Sequence, residues 1–190
     1  TQVAKQTLVF HRIKTDQDAL IRGHTIRINA LQALRDNVGK TCNEKFHMYL
    51  ARRGHLGQLR VDHDQELVTI QVKVKGASDP NAAWVKDLKQ LSGGERSYTT
   101  VAFLLALGQW SESSFRCLDE FDVFMDAINR RIAVETLLEN ALELPDKQYV
   151  LLTPQDIQAV EDARKQLQYK KNIEIPNSFV KTVKMQPARS

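Results

Sequence analysis

Cysteine and long apolar runs are both scarce in this 190-residue chain, and each scarcity excludes a class of protein. Cys42 and Cys117 are its only thiols, too few for a disulfide framework. The longest uninterrupted apolar stretch, Val101 to Leu107, falls far short of the roughly 20 residues that cross a bilayer. Thr1-Gln2-Val3-Ala4-Lys5 reads as neither a signal nor a transit peptide, so the expectation is a reducing intracellular compartment. Aromatic residues are only 7% of the chain, and none interleave with the basic run described below, so stacking on bases is not suggested. The five histidines (11, 24, 47, 55 and 63) lack the paired spacing and the cysteine neighbours of a zinc site.

The hydrophobic content is 42% against 26% charged, enough for one folded domain. The net charge of +4 is mild, but it is unevenly spread: residues 1–60 hold eleven Lys and Arg against four Asp and Glu. Arg52, Arg53, Arg60 and the basic helix before them are candidates for meeting DNA phosphates; a solvated helix face explains the same charges.

From about Asp18 to Arg53 there is no proline, and Ile28, Leu31, Leu34, Val38, Cys42, Phe46 and Tyr49 recur every three or four residues. That spacing predicts one long helix with a single apolar stripe, like the end of an antiparallel coiled coil, stopped at Arg53-Gly54 and Gly57. The period then falls to two, with Leu59 and Val61, then Leu67 to Val74, separated by Asp62-His63-Asp64-Gln65: a β-hairpin. Residues 75–83 read as a loop. Further on, helices (Leu91 to Gln109, Ala127 to Leu144, Asp156 to Leu167) alternate with strands (Phe115 to Leu118, Tyr149 to Leu152) before a last extended segment, Ile173 to Val183. Such alternation predicts an α/β layer whose short apolar strands are buried on both faces. Cys42 on the stripe and Cys117 in the strand are then expected to be buried, unreactive thiols.

Two blocks carry chemistry. Leu91-Ser92-Gly93-Gly94-Glu95 sets a serine and two glycines at the mouth of a helix, where free N–H groups and the helix dipole favour an anion. A plain Ser N-cap, with glycine serving only the turn, is the other reading. Some 25 residues later Phe115-Arg116-Cys117-Leu118-Asp119-Glu120 ends a strand on two adjacent carboxylates. Neighbouring side chains on a strand point to opposite sides, so the pair can divide the work: Asp119 towards a Mg²⁺ shell, Glu120 towards an attacking water. A solvated acidic strand end is the alternative.

In their order, these segments resemble ABC-type ATPases: Leu91–Glu95 the signature motif, Phe115–Glu120 the Walker B strand, and Asp122 to Arg131 the D-loop, with Met125-Asp126 at its Leu-Asp position. Together with the long helix, nearly the whole chain is similar to the C-terminal half of the ATPase head of an SMC (structural maintenance of chromosomes) protein. Glu95–Thr100, Arg116–Val123 and Leu151–Gln155 narrow the resemblance to one subgroup of that family. The resemblance implies the C-terminal lobe of an ABC-type (P-loop NTPase) head, α/β in class, with residues 1–56 the end of the coiled coil and its neck helix and 57–190 the lobe itself. It implies ATP and Mg²⁺ as cofactors. Ser92, Gly93, Gly94 and Glu95 would meet the ATP held by a partner head, Asp119 would hold Mg²⁺ through water, and Glu120 would polarise the hydrolytic water. Asp126 would lie at the dimer seam. Gln155 stands where these ATPases generally carry the switch His; an amide still donates a hydrogen bond but does not titrate. The implied partners are the N-terminal lobe of the same protein, a second SMC head, a kleisin-type subunit on the neck helix, and DNA, in the nucleus and on chromosomes.

One motif misleads. Gly39-Lys40-Thr41 copies the end of a P-loop, but residue 34, where the first glycine belongs, is Leu, and the segment lies inside the long helix. Without a P-loop or an adenine-side element, this chain alone is not expected to hydrolyse ATP. A scaffold module with a vestigial ATPase and the ATPase subunit of a membrane transporter are the competing readings. Intact Ser92, Gly93, Asp119 and Glu120 speak against the first, and the long helix and Gln155 against the second.

Overall fold

The computed structural model describes residues 2–74, 83–176 and 178–185. Helix α1 runs Gln2–Ala51, 50 residues and about 75 Å at 1.5 Å per residue. It begins well before Asp18 because nothing in the first 17 residues breaks it: there is no Pro or Gly, and Thr7 and Thr15 turn their hydroxyls back onto the carbonyls of Val3 and His11 at 3.0 and 2.9 Å. The predicted stripe is real, but only its lower part is covered. Cys42, Phe46, Tyr49 and Leu50 are buried, whereas Ile28, Leu31 and Leu34 are 42 to 51% exposed. The helix stops where Gly54 takes φ 76°, with its N–H donating to Ala51 O at 2.8 Å. Gly57 serves differently: it sits in a strand, and a Cβ there would come within 2.9 Å of Phe46 and still closer to Leu50.

Strands β1 (Leu56–Asp62) and β2 (Leu67–Lys73) pair antiparallel, Leu56 opposite Lys73 and Asp62 opposite Leu67. The Asp62 carboxylate accepts from the N–H groups of Asp64 and Gln65 at 3.1 and 3.0 Å, which closes the predicted turn. Gly57, Leu59 and Val72 face the foot of α1, and the Asn43 side chain accepts from Leu59 N at 2.8 Å. The predicted loop at 75–83 lies, apart from Ala83, outside the described residues.

Helix α2 (Gly93–Gly108), β3 (Phe115–Asp119), α3 (Ala127–Glu143), β4 (Gln148–Leu152) and α4 (Gln158–Lys171) follow. β3 and β4 pair in parallel, with Asp119 opposite Leu152, and among the described residues this sheet has two strands. Burial on both faces is not what the fold gives. Leu118, Tyr149 and Leu151 lean on the main core, but Phe115 is 62% exposed and Cys117, Val150 and Leu152 share its open face. Among the described residues the helices cover one side of this sheet. Cys117 is therefore an exposed thiol, contrary to expectation, while Cys42 is fully buried, its Sγ 3.5 Å from Ala106 O, and burial pushes its pKa up. The segment from Ile173 forms no strand among its described residues; Ile175 instead packs with Val134, Leu138, Ala163 and Leu167 of α3 and α4.

A polar chain crosses the core. Tyr49 of α1 accepts from Asn140 of α3 at 2.7 Å, Asn140 accepts from the Tyr149 hydroxyl of β4 at 2.5 Å, and Tyr149 accepts from Arg116 of β3 at 2.9 Å. Arg116 also reaches Gly108 O at the end of α2. Beside it Glu139 pairs with Arg52 and, at 2.7 Å, with Lys171. Arg52 also stacks on the Tyr49 ring, so its guanidinium is engaged inside the fold.

Burial, with the Glu143 carboxylate nearby, pushes the Tyr49 phenol up to about 12, although Asn140 and Arg52 pull the other way. A phenol held neutral in the fold stabilises it fully below its unfolded value near 10, and that contribution is lost as pH climbs to about 12. Two units correspond to about 2–3 kcal/mol. Tyr98 and Tyr149 shift in the same direction. Denaturant midpoints should therefore fall steeply between pH 10 and 12, and Tyr49→Phe should flatten that slope. An unchanged slope in Tyr49→Phe would contradict the buried phenol.

Candidate functional site

Ser92 is the N-cap of α2 in a reciprocal capping box. Its hydroxyl donates to Glu95 Oε2 at 2.8 Å and accepts from Glu95 N at 3.4 Å, while its own N–H donates to Glu95 Oε2 at 3.0 Å. Burial works to raise the Glu95 carboxyl, but the two bonds from Ser92, with His55 and Arg53 nearby, outweigh it and hold it below the usual carboxylate range. Both readings of the block thus coexist: the serine caps its helix, and Ser92 and Gly93 remain exposed at the positive end of the helix dipole. The glycines also make room for protein. A Cβ on Gly94 would meet Phe124 O at 3.2 Å and the Asn129 amide at 3.4 Å; on Gly93 it would meet only Phe124 Cβ at 3.6 Å. The start of α2 is packed directly on the turn that carries Asp126.

Asp126 caps α3. One of its oxygens accepts from Asn129 N at 2.8 Å and the other from the Asn129 side chain at 2.7 Å. Asn129 is buried and touches both Asp126 and the space beside Gly94, so it joins the signature segment to the D-loop segment. No sequence motif marked it; three residues after a capping Asp and facing a double glycine, it could have been suspected.

Asp119 ends β3, exposed. Glu120 has already left the strand: its N–H donates to Leu152 O at 3.0 Å and its φ of 48° is left-handed, unfavourable for a residue with a Cβ. The in-register pairing of β3 and β4 sets these two carboxylates beside the turn after β4. There Gln155 N donates to Thr153 Oγ1 at 3.0 Å, and Thr153 Oγ1 lies 2.8 Å from both oxygens of Asp122. Arg130 Nε sits 3.3 Å from the same carboxylate. Ser92 to Glu95 pack beside the turn that carries Asp126, and the Gln155 turn is tied through Thr153 to Asp122, two residues after Glu120. Among the described residues no three His, Cys, Asp or Glu side chains gather to hold a metal. A lone Asp119 fits a cation whose shell is filled largely by water and phosphate oxygens.

Lys40 is exposed in mid-helix, pairing loosely with Glu44 at 4.0 Å, as a decoy P-loop requires.

These features, a long neck helix on a hairpin, a capped glycine-rich helix start and a parallel strand ending in Asp-Glu, define the C-terminal part of an SMC-type ATPase head. The fold agrees: this chain superposes on a crystal structure of an Smc head bound to the C-winged helix domain of ScpA (TM-score 0.57, 19% identity, 70% of this chain and 40% of that one). It also superposes on a structure from work on ATP-driven dimerization and DNA-stimulated activation of SMC ATPases (TM-score 0.54, 19% identity, 68% of this chain and 75% of that one). No protein-family model matches the chain. Sequence similarity completes the assignment: the chain belongs to the SMC family, and within it is similar to human structural maintenance of chromosomes protein 6, 39% identical over 138 residues covering 73% of this chain. It spans 12% of that relative's length.

Proposed function

We propose that residues 57–190 are the C-terminal lobe of an SMC6-like head and residues 1–56 the end of its coiled coil and neck. The lobe would complete a nucleotide-binding domain with the N-terminal lobe of its own protein, and present Ser92, Gly93, Gly94 and Glu95 to ATP held by a second SMC head. The observation that carries this reading is the exposed, dipole-favoured start of α2 beside the 120–126 turn. Among the described residues β3 and β4 have a bare apolar face and unpaired outer edges, which supports a second lobe, since uncovered edges and faces invite pairing. The exposed Ile28, Leu31 and Leu34 support a helical partner on the neck, the returning coiled-coil strand or a kleisin-type subunit.

In this reading Asp119 would hold the water shell of a bound Mg²⁺, Glu120 would take a proton from the attacking water, Gln155 would donate its amide to the γ-phosphate, and Asp126 would lie at the seam. Bound Mg²⁺ would neutralise charge developing on the phosphate oxygens. Engagement on ATP and release on hydrolysis would serve DNA repair, recombination and chromosome maintenance in the nucleus, with DNA as a partner.

Ser92→Asp tests the trans contact. Aspartate still accepts from the Glu95 N–H as an N-cap, gives up the donation that the serine hydroxyl makes to the Glu95 carboxylate, and sets a charge against the phosphate. In the full-length protein with its partner, ATP-dependent head association should fall by tenfold or more, on the order expected for one unfavourable charge contact, while ATP binding to the same head stays intact. Normal association of this variant would sink the assignment.

A further inference from the structure

Asp122 is 1% exposed, and none of the roles above uses it. A carboxylate that far from water persists only when it is paired and hydrogen-bonded, and the groups that do so here come from different elements. Thr153, on the turn after β4, sits 2.8 Å from each of its oxygens. Arg130, on α3, sits 3.3 Å away and donates through Nη2 to Met125 O at 3.1 Å, one residue before Asp126. A threonine hydroxyl has one hydrogen, which goes to Asp122. Its lone pairs remain for Gln155 N, 3.0 Å away. Pro154, between the two, restricts φ and leaves this turn little freedom.

We propose that Asp122 is a positioning residue for hydrolysis, acting through the Thr153 hydroxyl to fix the Gln155 turn that follows β4. The inference rests on the roles proposed above for Glu120 and Gln155. It predicts that the hydroxyl, and not the size, of residue 153 sets the turnover rate. Removing it loosens the Gln155 turn and leaves the other nucleotide contacts in place, so the loss falls chiefly on turnover.

The experiment compares variants of the full-length protein assembled with its partner head, using Mg-ATP. Thr153→Val is isosteric and leaves the Asp122–Arg130 pair in place. It should lower kcat on the order of tenfold, a modest misplacement of a catalytic group, with KM and ATP-dependent association within about twofold of the unmodified complex. Thr153→Ser, which restores the hydroxyl, should recover kcat to within about twofold. In a Gln155→Ala background Thr153→Val should add almost nothing, because the hydroxyl works through that residue. Asp122→Asn, matched in shape, is the second variant and should show the same split between kcat and KM. An unchanged kcat in Thr153→Val, no rescue by serine, or full multiplication of the Thr153→Val and Gln155→Ala effects would each overturn the inference. Glu120→Gln run in parallel separates the two levels: if it is inactive while Thr153→Val is normal, only the positioning role falls, and if it turns over normally, the reading beneath it falls too.

Discussion

Glu120→Gln in the assembled heads should lower ATP turnover by about 10²–10⁴-fold, the range lost with a general base, while ATP still draws the heads together. Glutamine keeps the shape of the side chain and much of its hydrogen bonding but takes no proton from water. Glu120 holds φ 48° immediately after β3, a conformation that disfavours residues with a Cβ. That strain is identical in the glutamine variant, so the substitution changes the chemistry and leaves the turn alone. Single-turnover hydrolysis and ATP-dependent association, recorded on the same sample, check both halves. Hydrolysis at the normal rate would remove Glu120 from its role.

Phe46→Ala should destabilise the head by about 3–5 kcal/mol, the usual range for emptying a fully buried phenylalanine site. Phe46 has no exposed surface, meets Phe103 of α2 edge to face at 6.5 Å, and closes on Gly57 of β1, so it ties the neck to both the hairpin and the α2 layer. The gap cannot readily collapse, because Leu50 already fills the space beside Gly57. Leu31→Ala, fifteen residues up the same stripe and half exposed, should shift the head's denaturant midpoint by a small fraction of that. Comparable effects from the two substitutions would mean the stripe is not divided into a buried foot and an uncovered shaft.

Much of the architecture could be read from the residues because each element follows one period. Leu59 to Val74 alternates and forms the hairpin; Ala127 to Leu144 has no breaker and becomes α3 almost to the residue. The start of α1 could not be read, since Val3 to Ile13 are exposed among the described residues and carry no buried face to reveal. β3 and β4 were legible as strands but not in their burial. Their residues are apolar on both sides, and the side with Phe115 and Cys117 is left open among the described residues. At the site, Ser92 at the mouth of a helix announced a cap, and the Asp119-Glu120 step announced the strand end. Asp122, Asn129 and Thr153 stayed hidden because their partners are brought to them by the strand register and the crossover helix, which no local pattern encodes.

The hydrogen-bonded line from Tyr49 through Asn140 and Tyr149 to Arg116 has one further consequence. Hydrocarbon contacts tolerate a helix that slips or rolls a little, but a directional relay does not: turning α1 by a third of a revolution would strand several polar groups in oil at once. The foot of the neck is seated like a key in a lock, with a single angular setting, and whatever twists the shaft above meets a stop there.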